Sequence, residues 1–216
     1  MAAATVEGDE PAAERSAAAA DAYGVGRLLA FSDGVFAIAI TLLVLSIPVP
    51  DIPPHDPRAN ARLLDALLGL TPNLGGFALS FVLVGAHWMI HHRLFRQVTR
   101  IHRRLMWLNL LALLGICLVP FATTVLIRYG DTPTGAIAYA SLQIAISLAY
   151  FALRVALAGQ GAGSRASALL ALVQLIGFVA SIPLALAGDV QVAYVLWVAG
   201  FAVARAVDNR MQAVHR

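Results

Sequence analysis

The sequence has no lysine, a single cysteine and few charged residues of any kind. Charged residues make up 12% of its 216 residues, whereas hydrophobic residues make up 60%. Such a composition excludes an ordinary soluble domain and is typical of integral membrane proteins. Because arginine supplies all the basic charge, in short segments between apolar runs, we interpret the net charge of +3 as a signal of membrane orientation and not of nucleic-acid binding.

The chain also lacks the sequence signatures of enzymes. No segment contains a phosphate-binding loop or a nucleophile with its base, so we predict neither an enzymatic activity nor a cofactor. The single cysteine, Cys117, cannot form an internal disulfide, and it lies in an apolar run. We therefore expect Cys117 to be a small residue of the core.

The ends of the chain differ from its apolar centre. The first twenty residues, MAAATVEGDEPAAERSAAAA, are acidic and rich in alanine, and they lack the basic start and apolar core of a signal peptide. We predict that residues 1–24 form a disordered cytoplasmic tail and that residues 211–216 form a second, short cytoplasmic tail. Residues 25–210 then form one transmembrane domain.

The centre of the sequence contains six apolar segments, each about as long as a membrane-spanning helix, which needs roughly 20 residues. These segments predict an all-α integral membrane protein whose spans cover about residues 28–47, 71–92, 105–127, 135–157, 166–187 and 190–206. Five prolines between residues 48 and 57 exclude a continued helix after the first span. Residues 62–70 are predicted to form a short interfacial helix.

The arginines are distributed unevenly between the two sides of these six spans. Twelve of the fifteen lie on the side that carries both chain ends, and three lie on the other side. The positive-inside rule therefore predicts that both termini are cytoplasmic. Five of the twelve lie within residues 93–104, where we interpret them as an orientation signal that can also contact anionic lipid headgroups.

The first predicted span carries two polar residues close to its start, Ser32 and Asp33. An aspartate inside a membrane span costs roughly 2.5–3.5 kcal/mol on insertion scales, so Asp33 needs a partner, a water-filled cavity or a function. Arg27, one to two turns earlier, is a candidate partner. On a helix that turns about 100° per residue, Ser32 and Asp33 point about 120° and 140° away from Ile38.

The other side of this helix carries an aliphatic stripe with one hydroxyl group. The stripe covers about 100° of arc and consists of Ile38, Thr41, Leu42 and Leu45. Apolar stripes of this kind usually pack against lipid or against other helices. Periodicity alone therefore leaves two interpretations open, a packing surface and a functional one.

Further polar residues lie near the same end of the next two spans. His87, Trp88 and His91 are near the end of the second span, and Asn109 is about one turn into the third. Similar depth in the membrane makes mutual hydrogen bonds possible. We predict a hydrogen-bonded network that holds the first helix against the second and third, with the members Arg27, Ser32, Asp33, His87 or His91, and Asn109.

A zinc site is the alternative for these histidines, because His87 and His91 are one helical turn apart. The metalloprotease pattern His-Glu-x-x-His needs a glutamate after the first histidine, but residue 88 is tryptophan. Even with Asp33 as a third ligand, histidines near a membrane interface are more often hydrogen-bonding anchors. We therefore predict no metal site.

In their order along the chain, these polar residues resemble the transmembrane-protein-175 family, the lysosomal potassium channels and their shorter prokaryotic relatives. The first-helix signature is carried by Arg27, Phe31, Ser32 and Asp33, followed by GVFAIAIT. The run HWMIHHRLF from His87 and the segment around Asn109 resemble the second and third helices of the family. The resemblance covers about residues 27–210 and one six-helix unit, whereas the long family members carry two.

The resemblance implies a homotetramer in which helix one of each subunit lines a central pore for potassium ions. It places Ile38 at the hydrophobic constriction nearest the Phe-Ser-Asp motif, with Leu42 and Leu45 as further rings and Thr41 as the hydroxyl on the permeation path. Rings of aliphatic side chains can gate a pore by dewetting. No segment matches the TVGYG filter of ordinary potassium channels, whose backbone carbonyls replace the hydration shell of the ion.

The resemblance also implies a structural polar network made of Arg27, Phe31, Ser32, Asp33, His87, Trp88, His91 and Asn109. Protonation of His87 or His91 is a hypothetical means of tuning channel opening with pH. The implied location is a prokaryotic plasma membrane. Two alternatives stay open, a non-conducting membrane scaffold and a small secondary transporter, although the sequence has no broken-helix pair or inverted repeat.

Overall fold

The computed structural model describes residues 12–53, 55–96, 98–157, 165–190 and 192–200, which form a bundle of helices. The helices are, in order, α1 (Ala12–Leu42), α2 (Ala59–Gly69), α3 (Thr71–Phe95), α4 (Arg103–Tyr129), α5 (Pro133–Leu157) and α6 (Arg165–Leu186). A 3₁₀ turn, Leu43–Ser46, extends α1, and residues 192–200 are again helical. The described ranges contain no strand, in agreement with the predicted all-α class.

Four helices within the described residues are long and apolar enough to cross a bilayer. They are Tyr23–Ser46, Thr71–Phe95, Arg103–Tyr129 and Pro133–Leu157. These four segments coincide with the first four predicted spans. Helix α6 lies where the fifth span is predicted, and its apolar part is Leu175–Leu186. The predicted sixth span, 190–206, is helical over residues 192–200, and residues 201–206 lie outside the described residues.

The structure corrects the predicted N-terminal tail. Residues 12–24 belong to α1 and are helical rather than disordered. The physical reason is the four consecutive alanines at residues 17–20, since alanine has the highest helix propensity. Residues 1–11 and the predicted tail over residues 211–216 lie outside the described residues.

Local sequence sets several of the helix ends. Ile47 is extended, with φ −87° and ψ 114°, because the proline at residue 48 disfavours a helical residue before it. At the start of α5, the hydroxyl of Thr132 accepts a hydrogen bond of 3.2 Å from the backbone N–H of Gly135 and so caps the helix. After α6, Gly188 has a φ of 91°, a conformation that suits glycine, and it turns the chain back toward the next helical segment.

Helix α4 is central in the bundle and packs against α1, α3 and α5. Ile116 and Val119 of α4 share one apolar core cluster with Phe36 of α1 and Phe95 of α3. Cys117 is exposed, which corrects the expectation that it is a core residue. Its position explains this, because it follows the buried Ile116 by about 100° around the helix and faces away from the bundle.

Helices α4 and α5 approach each other closely at Gly115. A Cβ atom at this position would lie 2.6 Å from Cγ1 of Ile146 on α5, and Ile146 is itself buried. Small residues at helix contacts in membranes allow this kind of backbone approach. Gly85 on α3 is the contrasting case, since a Cβ atom there would meet nothing within 4 Å.

We predict that Gly115→Ala lowers the thermal unfolding midpoint of the purified protein in detergent, because overpacking against Ile146 costs about 1–3 kcal/mol. Gly85→Ala is the matched control and should keep or raise the midpoint, since alanine favours the helix. An equal loss in both single glycine variants would contradict the close approach at Gly115.

Candidate functional site

Helix α1 and its 3₁₀ extension present two different faces. Ser32, Phe36, Ala39 and Leu43 are buried, none of them more than 3% exposed. Their spacing of three or four residues places them on one helical face, which packs against α3 and α4. The opposite face is uncovered in the described chain, so only one side of this helix contacts the bundle.

Ser32 connects the buried face of α1 to α4 and α3. Its Oγ accepts a hydrogen bond of 3.1 Å from Nδ2 of Asn109 and donates one of 2.8 Å to the carbonyl of Leu28. The Oδ1 atom of Asn109 lies 2.8 Å from Nε2 of His91. Ser32, His91 and Asn109 are all fully buried. One amide side chain therefore joins three helices through a continuous series of buried hydrogen bonds.

The carbonyl at the end of this series sets the direction of every hydrogen bond in it. The Leu28 carbonyl can only accept, so Ser32 donates to it and accepts from Asn109. The Asn109 amide therefore presents its NH₂ group to Ser32 and its oxygen to His91. That oxygen can also only accept, so His91 carries a proton on Nε2. Its buried Nδ1 atom has no hydrogen-bond partner among the described residues.

Asp33 is held by a different residue of α3. Its Oδ1 atom accepts a hydrogen bond of 2.8 Å from the indole Nε1 of Trp88. The Trp88 ring in turn packs on His92, with 5.6 Å between the ring centroids. This contact supplies a polar partner of the kind that an aspartate in a membrane span needs.

Two predicted network members lie elsewhere. The Nδ1 atom of His87 donates to the carbonyl of Leu83 at 2.8 Å, and the imidazole packs on Tyr150 of α5 with 5.5 Å between centroids. The guanidinium of Arg27 lies 5.9 Å from the ring centroid of Tyr23, one turn earlier on α1. Of the two histidines that the sequence left open, His91 is the one that contacts Asn109.

The three candidate zinc ligands have separate hydrogen-bond partners. His87 is bonded to a backbone carbonyl, His91 to Asn109, and Asp33 to Trp88. Within the described part of the chain, no group of three histidine, cysteine, aspartate or glutamate side chains is placed to hold a metal ion. The His91 and Asp33 contacts join different helices, whereas the His87 contact lies within α3.

The predicted aliphatic stripe lies on the uncovered face of α1. Ile38 is 62% exposed, Leu42 44% and Leu45 76%, although all three side chains are apolar. Thr41 is exposed on the same face, and its hydroxyl donates to the carbonyl of Ile38 at 2.8 Å. Phe31, from the first-helix signature, is exposed as well. A contiguous apolar face of this kind marks a contact with lipid or with another protein chain.

A second set of buried hydroxyls was not predicted from the sequence. The Oγ atom of Ser80 on α3 lies 3.0 Å from the hydroxyl of Tyr139 on α5 and 2.8 Å from Oγ1 of Thr123 on α4. All three side chains are fully buried. The sequence feature that they share is their depth in the membrane. Each lies six to nine residues from one end of its helix, the end opposite the arginine-rich segment of residues 93–104. This second set of side chains thus joins α3, α4 and α5. The series from Ser32 through Asn109 to His91 joins α1, α3 and α4 in the same way.

Comparison with known proteins relates the chain to one family. Residues 27–120 match the family model described as endosomal/lysosomal potassium channel TMEM175. The fold is similar to the crystal structure of a lysosomal potassium-selective channel TMEM175 homolog from Chamaesiphon minutus, with a TM-score of 0.70 and 30% sequence identity. That similarity covers 87% of this chain and 98% of the other.

Relatives at the sequence level come from bacteria and from vertebrates. A potassium channel of Streptomyces collinus is 40% identical over 132 residues, which are 59% of this chain and 62% of that relative. A potassium channel of Chamaesiphon minutus is 41% identical over 128 residues, 58% of this chain and 62% of the relative. The endosomal/lysosomal proton channel TMEM175 of Gallus gallus is 36% identical over 131 residues, 58% of this chain and 25% of the relative. The matched region spans less than two thirds of each of these relatives.

We predict that His91→Gln retains more thermal stability than His91→Asn. A glutamine NH₂ group can take the place of the imidazole Nε2 and donate to Asn109, whereas the shorter asparagine leaves the Asn109 oxygen unpaired. A buried acceptor without a partner costs about 1–3 kcal/mol, so the unfolding midpoint in detergent should fall further in the asparagine variant. As a control, Thr124→Ala removes a hydroxyl that bonds to the Pro120 carbonyl of its own helix, and it should change the midpoint least. The reverse order of the two His91 variants would contradict donation from Nε2.

Proposed function

The chain belongs to the TMEM175 family, and from this membership we propose that it forms a potassium-permeable channel. The structural neighbour from Chamaesiphon minutus is named a potassium-selective channel, and the relatives from Streptomyces collinus and Chamaesiphon minutus are named potassium channels. This chain has no TVGYG filter, so a permeating ion would pass apolar side chains instead of carbonyl rings.

The uncovered face of α1 is the observation that carries this proposal. The hydrogen bond from Asn109 to Ser32 holds one side of α1 against the bundle and leaves Ile38 and Leu45 on the other side, largely exposed. Four copies of the chain around a rotation axis would bring these faces together and enclose a path along the axis. Lipid would also cover an apolar face, so family membership decides in favour of the pore.

In this homotetramer, the stripe supplies successive rings around the pore. Ile38 forms the ring nearest the Ser32–Asn109 contact, and Leu42 and Leu45 form rings about one and two turns farther along. Four aliphatic side chains in a ring can close a narrow pore by excluding water. Thr41 adds a hydroxyl whose proton is bonded to the Ile38 carbonyl, so its oxygen lone pairs are free to face a cation.

The buried network has a positioning role in this proposal. Rotation of α1 by one residue, about 100°, would separate Ser32 from Asn109 and turn Ile38 away from the axis. The network therefore determines which side chains face the pore. Asp33 contributes through its contact with Trp88 and not as a charged ring in the permeation path.

We further propose a location in a prokaryotic plasma membrane, with six spans and both termini in the cytoplasm. The segment of residues 93–104 would then lie at the cytoplasmic surface. Arg96, Arg103 and Arg104 are exposed there. Arginines at this position attract anionic lipid headgroups over distances of about a Debye length.

One set of flux measurements distinguishes a potassium channel from three alternatives. Saturable and coupled uptake would indicate a small secondary transporter. The absence of any flux under all gradients and pH values would indicate a membrane scaffold. Because the vertebrate relatives are named proton channels, proton flux belongs in the same measurement.

We predict that liposomes containing the purified protein take up potassium faster than sodium. Ile38→Asn replaces the apolar ring with amides, which keep the constriction hydrated, so both fluxes should rise. The rise is about tenfold if the free-energy barrier to ion passage falls by about 1.4 kcal/mol. The ratio of potassium to sodium flux should fall in the same variant, since both hydrated ions then pass more freely.

Ile176→Asn is the matched control for Ile38→Asn. Ile176 lies on α6 and is 57% exposed, close to the value for Ile38, so the two changes introduce the same amide at similarly exposed positions. The control should leave both fluxes at the wild-type level. Equal effects of the two substitutions, or none from either, would contradict the assignment of Ile38 to the pore.

We also predict that Arg103→Gln weakens binding of phosphatidylglycerol about fivefold, which corresponds to about 1 kcal/mol per arginine near the headgroups. Native mass spectrometry of the purified protein with added lipid gives the affinity. Arg128→Gln is the control, because Arg128 is exposed at the opposite end of α4. Equal loss of affinity in the two variants would contradict a headgroup contact at residues 93–104.

A further inference from the structure

A row of polar residues runs along one face of α5. Its members are Tyr139, Gln143, Ser147, Tyr150 and Arg154. Their spacings of four, four, three and four residues place them on a single side of the helix. The first four are buried and Arg154 is partly buried. We refer to this row as the α5 polar face.

Several atoms at the α5 polar face have no hydrogen-bond partner within the described part of the chain. Both amide atoms of Gln143 lack one, although the side chain is fully buried. The hydroxyl of Tyr150 also lacks one. The same is true of Nδ1 of His91, whose ring meets the Tyr150 ring edge-on with 6.3 Å between centroids. Buried polar atoms are normally paired, so these atoms require a partner beyond the described residues.

The chemistry of the unpaired atoms identifies the class of that partner. Gln143 offers two donors and an acceptor, Tyr150 offers a donor and an acceptor, and Nδ1 of His91, given the proton on Nε2, offers an acceptor. A hard cation such as Mg²⁺ or Ca²⁺ would need oxygen acceptors alone. Arg154 also places a positive charge at one end of the row, with Nε and Nη1 unpaired among the described residues. Water both donates and accepts, and buried waters typically satisfy groups of this kind.

We propose that each subunit binds ordered water along the α5 polar face, at one site beside Gln143 and at a second site between Tyr150 and His91. The second water extends the series from Ser32 through Asn109 and His91 to α5, so that four helices share one hydrogen-bonded system. These sites are distinct from the α1 stripe, because α5 packs on α4 and α6 while α1 packs on α3 and α4.

Hydroxyl-radical labelling by X-ray radiolysis tests the two sites on the full-length protein in detergent. Radicals formed from a bound water oxidise the side chain beside it, even where bulk solvent does not reach. The readouts are Tyr139, which lies one helical turn before Gln143 on α5, and Tyr150. Ile116, fully buried in the apolar core, is the dry reference. Each rate is normalised to that of the same side chain in denatured protein.

We expect normalised rates for Tyr139 and Tyr150 that are several-fold higher than the rate for Ile116. Gln143→Leu should lower the Tyr139 rate several-fold and leave Tyr150 unchanged, because only the first site is lost. Tyrosine rates equal to that of Ile116 in the wild type would overturn the proposal, and this comparison stands even where the variant does not fold. An unchanged Tyr139 rate in folded Gln143→Leu would overturn the Gln143 site. Failure of the potassium-flux experiment leaves these readouts unaffected, since they do not depend on conduction.

Discussion

The two hydrogen bonds of the Asn109 amide are the interaction on which the arrangement of the first helix depends. The amide donates to Ser32 and accepts from His91, and all three side chains are buried. No solvent is available in a membrane interior to replace a lost partner, so the series is favourable only when each member is paired. This requirement selects one rotation of α1 about its axis. The exposure of Ile38 and Leu45 follows from that rotation.

Helix α1 has its buried polar contacts on the side facing the bundle and its apolar stripe on the side facing away. A helix on the surface of a soluble protein has a polar outward face, whereas α1 is apolar on its outward face and carries Ser32 among apolar residues on its buried face. In a bilayer this arrangement is favourable, because lipid tolerates apolar side chains while polar groups need protein partners. A single chain therefore keeps these polar contacts inside and leaves an apolar outward surface on α1, which the proposed homotetramer would cover.

Polar residues inside apolar runs were the informative part of the sequence. Matching depth along the predicted spans was enough to associate Ser32 with Asn109, which lie 77 residues apart in the chain. The same reasoning left His87 and His91 as equal candidates, because both are near one end of the second span. Only the rotation of α3 separates them, since it turns His87 toward Tyr150 and its own backbone. Matching depth also associates the hydroxyls of Ser80, Thr123 and Tyr139, each of which lies six to nine residues from a helix end.

The sequence by itself determined the helical class, the positions of four membrane-length helices and the residues that share the α1 stripe. These features depend on the thickness of a bilayer and on the rise and turn of a helix, which act within one segment. The tertiary structure alone decided which histidine pairs with Asn109, which glycine lies against Ile146 and which atoms of α5 remain unpaired. Those features depend on the rotation and separation of neighbouring helices, and the packing of the whole bundle sets both.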